Sequence, residues 1–311
     1  MKLDIYQVDA FTNHLFKGNP AAVVPLDSWV SDDVMQDIAA ENNLSETAFY
    51  VRNDEDFEIR WFTPTVEVNL CGHATLATAF VVFEREEVMG NHIVFNSKSG
   101  SLKVDKTENG MVLNFPITVP LTTELPKWVK DVGGNPIEAY TCGEDVLLIY
   151  KSEDEIRNLS PNFVALKQVP IRGIICSSRS EEYDFVSRFF APGVGINEDP
   201  VTGSAHTKLV PYWASIMKKD NLFAKQISKR GGELKCELIG DRVKLTGESR
   251  LFLVVEPALP RALSACGTRL PLTSLMHCSC LETMSILTGL IFVRSDSIAI
   301  TVDSPDQNGA G

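Results

Sequence analysis

The chain has 311 residues, of which 44% are hydrophobic and 23% are charged, a composition typical of folded globular proteins rather than disordered or fibrous ones. It contains 29 Lys and Arg residues against 41 Asp and Glu residues, which gives a formal net charge of −12 at pH 7. Such an acidic surface repels nucleic-acid backbones and anionic lipid headgroups, so a nucleic-acid or membrane-surface function is disfavoured.

Residues 1–115 are predicted to form an N-terminal half made of short strands and two helices. Ser31 is a predicted helix N-cap, because two acidic residues and an apolar face follow it. A second helix is predicted from Cys71 to Phe80, and its nearly continuous apolar character indicates that strands surround it. Seven runs rich in β-branched and aromatic residues are predicted strands: 2–10, 21–24, 47–51, 57–62, 92–95, 101–104 and 111–115.

Residues 116–126 contain three prolines and no amphipathic period, so we interpret them as a linker. A C-terminal half over 127–256 then repeats the plan of the first. It has a predicted buried helix that begins near Thr202 and continues to about Tyr212. The other predicted elements are helices at 127–132 and 183–190 and strands at 146–150, 173–177, 243–245 and 251–256.

Residues 257–311 lack a sustained period and are expected to form an atypical, poorly ordered tail. His277, Cys278 and Cys280 lie together there, but three ligands within four residues do not complete a tetrahedral site, so no metal is predicted. The chain has seven cysteines, an odd number at scattered spacing, and the first nine residues lack the apolar core of a secretory signal. Apolar runs near the end are shorter than the roughly 20 residues that span a bilayer. We therefore expect a cytoplasmic protein.

Three segments carry candidate chemistry. Glu46 stands at the entrance of an apolar strand, where a carboxylate is usually a solvated edge residue. Gly72 and His73 begin the first buried helix, and its free amides suit an anion such as a carboxylate. The second buried helix repeats this arrangement in the run Asp199-Pro200-Val201-Thr202-Gly203-Ser204. In both places glycine is expected to allow a tight turn into the helix.

These segments resemble the PhzF-like, or phenazine biosynthesis-like, family of isomerases, which has the diaminopimelate epimerase-like fold. The resemblance covers about residues 1–256 in order. It implies an α/β (α+β) fold of two pseudo-symmetric β-barrel or roll halves, each wrapped round a central helix, with the active site between them. The matching motifs are Gly18-Asn19-Pro20-Ala21-Ala22-Val23, Asn43-Leu44-Ser45-Glu46-Thr47-Ala48-Phe49, Arg60-Trp61-Phe62-Thr63-Pro64, Leu70-Cys71-Gly72-His73-Ala74-Thr75 and Glu198-Asp199-Pro200-Val201-Thr202-Gly203-Ser204-Ala205, with a weaker match at Ser228-Lys229-Arg230-Gly231-Gly232.

By this resemblance, Glu46 is the catalytic acid and base. The positions that hold the substrate or assist proton movement are Gly72, His73, Asp199, Gly203 and Ser204. The expected reaction moves a proton on a small carboxylate-bearing metabolite without a cofactor or metal. A glutamate that serves as both base and acid needs a pKa raised from about 4.3 towards 6–7. The resemblance also suggests a homodimer.

Two other functions remain open. The chain could be a metabolite-binding or scaffold protein without turnover. A racemase or epimerase of this fold would use two opposed cysteines. Cys71 occupies the first cysteine position, but the second half has Thr202 before its glycine, so Cys71 is interpreted as a small buried hydrophobe. His206 is interpreted as a packed or surface residue. Arg230 is assigned to a solvated basic turn, in preference to a contact with an anionic ligand.

Overall fold

The computed structural model describes residues 3–255, apart from positions 55, 87 and 89, and the backbone of two short strands at 290–292 and 299–301. The predictions for the tail, including His277, Cys278 and Cys280, lie outside the described residues, except for those two strands. No helix among the described residues is long and apolar enough to span a bilayer.

The N-terminal half contains the seven predicted strands and one further short strand. Ser31 is the N-cap residue of the first helix, but its side chain makes no capping hydrogen bond. The elements in chain order are β1 (Ile5–Ala10), β2 (Asn19–Leu26), α1 (Asp32–Asn42), β3 (Glu46–Asn53), β4 (Asp56–Phe62), β5 (Glu67–Val68), α2 (Gly72–Arg85), β6 (His92–Ser97), β7 (Gly100–Thr107) and β8 (Gly110–Pro116).

The C-terminal half is richer in strands than predicted. Short 3₁₀ turns lie at Lys127–Asp131, where a helix was predicted, and at Pro192–Val194. From the linker to the tail, the elements in chain order are β9 (Leu121–Thr123), β10 (Glu138–Cys142), β11 (Asp145–Ile149), α3 (Glu153–Arg157), α4 (Phe163–Leu166), β12 (Gly173–Arg179), β13 (Phe185–Ala191), β14 (Ile196–Asp199), α5 (Gly203–Met217), β15 (Asn221–Gln226), β16 (Gly232–Ile239), β17 (Arg242–Gly247), β18 (Ser249–Val255), β19 (Leu290–Phe292) and β20 (Ala299–Thr301).

The helix predicted over 183–190 is wrong, because this segment forms β13. Six of the seven β13 residues are buried, so the strand lacks the alternation of polar and apolar residues that marks a half-exposed strand. It lies between β12 and β15 in the sheet. Part of the predicted linker is also a strand, since β9 pairs with β10.

Helices α2 and α5 are central and buried, as predicted. Nine residues of α2 are buried, and most of them are small. Thr75 and Thr78 are fully buried, and each hydroxyl donates to the backbone carbonyl four residues earlier, on Cys71 and Ala74. These bonds remove the cost of burying an unpaired hydroxyl, so the strands can pack closely around the helix.

Two strand pairs join the halves. β1 pairs with β18, from Ile5 opposite Val255 to Ala10 opposite Ser249, and β8 pairs with β17. The two central helices meet at their first residues, since a Cβ placed on Gly72 would lie 3.9 Å from the Gly203 Cα. The two helix N-termini therefore adjoin at the junction of the halves, which is where the candidate site lies.

Candidate active site

Glu46 is the first residue of β3, and its side chain turns into the protein towards α2. Only 13% of that side chain is exposed, so Glu46 is not the solvated edge residue that such a position usually holds. Its Oε2 lies 3.2 Å from the Nε2 of His73, which is the second residue of α2. Both atoms are buried, and neither makes a contact with hydrogen-bond geometry. Buried polar atoms without a hydrogen-bond partner are uncommon in native proteins, so this pair calls for an explanation.

His73 is neutral at physiological pH, because burial lowers its pKa to about 3. Its Nδ1 lies 3.3 Å from Asn19 Nδ2 and 3.5 Å from Cys71 Sγ, and both of these groups can donate a hydrogen. The other ring nitrogen, Nε2, faces Glu46. A neutral imidazole with its hydrogen on Nε2 can donate towards the carboxylate without carrying a charge.

The pKa of Glu46 is raised from 4.5 to about 8. Burial is the largest cause and the negative charge of Asp199 is the second, while a hydrogen bond with Cys71 opposes them. Both protonation states of Glu46 are therefore populated near neutral pH. A group in this range can remove a proton from a carbon and return one.

Asp199 ends β14 on the opposite half and is held by hydrogen bonds from two residues. Asn19 Nδ2 donates to its Oδ1 at 2.8 Å, and Thr202 Oγ1 donates to its Oδ2. Burial raises the pKa of Asp199 to about 6, and the two hydrogen bonds limit the rise. Asp199 is thus charged at neutral pH, which is consistent with its effect on Glu46.

Asn19 is fully buried and connects several parts of the site, although the sequence motif gave it no role. Besides Asp199, its Nδ2 reaches the Val201 carbonyl at 2.9 Å and the His73 imidazole at 3.3 Å. Because an amide nitrogen has two hydrogens, it cannot serve three acceptors at once, and the imidazole contact is the longest. Gln226 is a second residue that sequence reasoning missed, since it binds the backbone of Thr202 and Asp199.

Gly72 and Gly203 are the first residues of their helices, as predicted, but neither has a positive φ. A Cβ on either glycine would make only ordinary contacts, at 3.6 Å or more. The expectation that glycine is needed for a tight turn is therefore wrong. Without a Cβ at either position the two helix N-termini approach closely, and their free amides and helix dipoles favour an anion.

Ser204 faces another cluster rather than Glu46. Its Oγ accepts a hydrogen bond from Arg172 Nη2 at 3.2 Å. Arg172 also forms a two-pronged ion pair with Asp145, whose side chain is fully buried, and Lys208 Nζ lies 2.6 Å from the same carboxylate. Two cations on one carboxylate leave an excess positive charge beside the start of α5. The sequence offered a weak signal for this cluster, because Lys208 interrupts an otherwise apolar segment.

Cys71 is buried next to Glu46, and its pKa lies well above the usual thiol value, chiefly because of burial. The other described cysteines, Cys142, Cys176 and Cys236, lie in the apolar cores. Ligand atoms of Glu46, Cys71 and His73 lie within 4.8 Å of one another, so the three could supply ligands to a metal ion. Metal binding requires a thiolate, which this burial disfavours.

Two residues outside this cluster, His206 and Arg230, also received an interpretation from the sequence. His206 is fully buried in α5, with Nδ1 2.8 Å from the Thr202 carbonyl, so it is a packed residue. Arg230 is more than part of a solvated turn. It pairs with Asp9 and donates to the carbonyls of Lys17 and Gly18, so it fastens the C-terminal half to the N-terminal half.

Comparison with known proteins places the chain among related sequences and folds. It is 49% identical over 255 residues to an uncharacterised isomerase of Pseudomonas aeruginosa, an alignment that covers 81% of this chain and 97% of that protein. It is also similar to the crystal structure of a PhzF family protein of Enterococcus faecalis, with a TM-score of 0.80 and 45% identity, over 83% of this chain and all of the other.

The fold extends to distant enzymes. A hydroxyproline epimerase of Agrobacterium vitis matches with a TM-score of 0.54 at 9% identity, over 82% of this chain and 93% of that one, which shows a shared fold alone. The predicted fold class is thus confirmed. A family model described as "Phenazine biosynthesis-like protein" matches residues 8–253. The chain therefore belongs to the phenazine biosynthesis-like (PhzC-PhzF) family, a membership that supports an isomerase-type function.

Proposed function

We propose that this protein is an isomerase that moves a proton between two carbons of a small carboxylate-bearing metabolite, with Glu46 as both base and acid. One observation carries the proposal: Glu46, with a pKa of about 8, is buried against the neutral imidazole of His73 at the junction of the two central helices. Proton transfer without a cofactor requires a side chain that can both accept and donate a proton near neutral pH, and Glu46 has such a pKa.

In the proposed reaction the Glu46 carboxylate removes a proton from an activated carbon of the substrate. The C–H electron pair moves into the conjugated system of the substrate, and Glu46 becomes a carboxylic acid. Glu46 then donates the proton to a different carbon, so that the protein regains its starting state. No electrons or atoms are lost or gained, and the only net change is the position of the hydrogen and the double bond.

His73 is the proposed partner of Glu46 in this cycle. With its hydrogen on Nε2, and after a small adjustment of the 3.2 Å contact, His73 would donate to the carboxylate form of Glu46 and orient it towards the substrate. When Glu46 is protonated, the low pKa of the imidazole prevents it from taking the proton away. Asp199 raises the proton affinity of Glu46 from across the junction, which strengthens Glu46 as a base.

The substrate's carboxylate is assigned to the amides at the starts of α2 and α5, beginning at Gly72 and Gly203. The excess positive charge of Arg172 and Lys208 beside Ser204 favours the same location for a negative group. Since Glu46 is largely shielded from solvent, bulk water has little access to the transferred proton. A small cyclic or unsaturated carboxylate fits these features.

The test follows deuterium from solvent into unsaturated carboxylic acids by NMR, with the wild type, Glu46→Gln and the matched control Glu41→Gln. Glu41 is exposed on α1, so its variant changes charge without altering the site. We expect exchange and isomerisation with the wild type and Glu41→Gln, and a loss of both with Glu46→Gln. Unchanged turnover in Glu46→Gln would remove Glu46 from the reaction. A compound that binds the wild type and never exchanges would favour a metabolite-binding protein.

A further inference from the structure

A cavity lies at the seam between the two halves, away from the residues around Glu46. It has a volume of about 470 Å³, which is within the range of small-molecule sites. The loop between β1 and β2 and the loop between β15 and β16 both contribute to its lining. Glu46, His73 and Asp199 do not line it.

The lining of this cavity is strongly basic, although the chain as a whole carries a net charge of −12. Against its two carboxylates, Glu233 and Glu248, stand six Lys and Arg side chains, and His14 adds a seventh basic group when protonated. The six are Lys17, Arg157, Lys225, Lys229, Arg230 and Lys235.

Four of these cations already have partners, and two do not. Arg230 pairs with Asp9, Arg157 with Glu153, Lys225 with Glu233, and Lys235 donates to Asn109. The ammonium groups of Lys17 and Lys229 are exposed and make no ion pair or hydrogen bond within the part of the chain that the structure describes. They belong to the two neighbouring loops that line the cavity, so a shared negative ligand could pair with both.

The walls are held in place before any ligand arrives. Gly18 N donates to the Gly231 carbonyl at 2.7 Å, and Glu233 N donates to the Phe11 carbonyl at 3.1 Å. Phe11 and Phe16 both have left-handed backbone conformations, with φ of 60° and 67°, which are unfavourable for aromatic residues. A preformed cavity of this kind binds a ligand without a large ordering cost.

We propose that this seam cavity binds a small polyanion, either a phosphorylated metabolite or a polycarboxylate, between Lys17 and Lys229. The ligand would bridge the two halves, because Lys17 belongs to one half and Lys229 to the other. Arg230 adds a positive charge that is held in place, because its guanidinium is bound by the Gly18 carbonyl and the Asp9 carboxylate. The proposal does not depend on the reaction at Glu46.

The test is isothermal titration calorimetry with pyrophosphate and with citrate, at an ionic strength held constant with sodium chloride. The variants are Lys17→Gln/Lys229→Gln and a control with the same change in net charge, Lys130→Gln/Lys167→Gln, at exposed lysines outside the cavity. We expect saturable binding of one probe or both. We also expect it to weaken about tenfold or more in the cavity variant, because two direct charge contacts are lost. The control and Glu46→Gln are expected to keep the wild-type affinity.

The results distinguish a phosphorylated ligand from a polycarboxylate and can overturn the proposal. Binding of pyrophosphate alone would indicate a phosphorylated ligand, and binding of citrate alone a polycarboxylate. Failure of both probes to bind at millimolar concentration would overturn the proposal, as would equal weakening in the two double variants. Thermal unfolding by circular dichroism confirms that the variants are folded, which we expect because both substituted side chains are exposed.

Discussion

Asn19 and Asp199 are 180 residues apart in the chain and are joined by a buried hydrogen bond of 2.8 Å. Asn19 begins β2 in the N-terminal half, and Asp199 ends β14 in the C-terminal half. The bond therefore connects the halves at the site itself. It also lowers the pKa of Asp199 and so favours the charged form of that carboxyl.

Asn19→Ala is expected to destabilise the protein, because it leaves Asp199 Oδ1 and the Val201 carbonyl without their shared donor. Two buried acceptors without a donor cost about 2–4 kcal/mol in the free energy of unfolding. Urea denaturation measures this change. The control is Asn53→Ala, an exposed position at the end of β3, for which the change is expected to stay within about 0.5 kcal/mol. Similar values for the two variants would show that the connection is not important for stability.

Asp199→Asn is expected to lower the pKa of Glu46 from about 8, because the Asp199 charge is the second largest cause of its rise. The midpoint of Glu46 deprotonation then moves to lower pH. Carbon NMR of labelled glutamate follows this titration, with Glu46→Gln to assign the signal. The matched control Asp154→Asn removes an exposed charge from α3 and is expected to leave the midpoint in place. An unchanged midpoint in Asp199→Asn would mean that burial alone sets the pKa.

The stability of the protein is expected to depend on pH through Glu46. The folded pKa of about 8 lies above the ordinary value of 4.5, so the folded state retains a proton that the unfolded chain has released between these values. The contribution of Glu46 is therefore fully present below pH 4.5 and is lost as the pH rises through about 8, by up to a few kcal/mol.

The measurement for this pH effect is urea denaturation of the wild type and Glu46→Gln across the same range. We expect the wild type to lose stability relative to Glu46→Gln between pH 5 and 9, because the amide does not ionise. Parallel stability curves for the two proteins would contradict a raised pKa at Glu46.

Gly18→Ala is expected to cost more than about 4 kcal/mol of stability. Gly18 has a φ of +65°, and an added Cβ would lie 2.1 Å from the Ala10 carbonyl oxygen. Gly143 is a matched control with a φ of +63° and no atom within 4 Å of such a Cβ. Gly143→Ala therefore reports the backbone cost alone, roughly 1–2 kcal/mol. Equal losses in urea denaturation would mean that the loop before Asn19 can move aside.

Local sequence patterns predicted the parts of the fold that local chemistry decides. The buried helices that begin at Gly72 and Gly203 were found because their small apolar residues and helix-start signals lie next to each other in the chain. The helix predicted over 183–190 was wrong for the opposite reason. β13 is a strand because β12 and β15 lie on either side of it, and nothing within the segment itself reports those neighbours.

The same contrast between local signals and contacts of distant segments applies to the candidate site. Motif matches selected Glu46, His73 and Asp199, and the structure brings these residues close together. Asn19 received no role, because its partners lie up to 182 residues away. The group of Asp145, Arg172 and Lys208 was missed since three separated segments contribute to it. Ser204 was expected to face the substrate, but its direction depends on Arg172, a contact that spacing cannot reveal.

Ile5 opposite Val255 places the first and last strands of the family-matched region side by side in one ladder. A short peptide joining these two positions, with a new opening in the exposed turn at Gly143, would give a circular permutant in which the strand pairs keep their partners. Adjacent terminal strands therefore allow the chain to be reconnected without breaking the β1–β18 ladder.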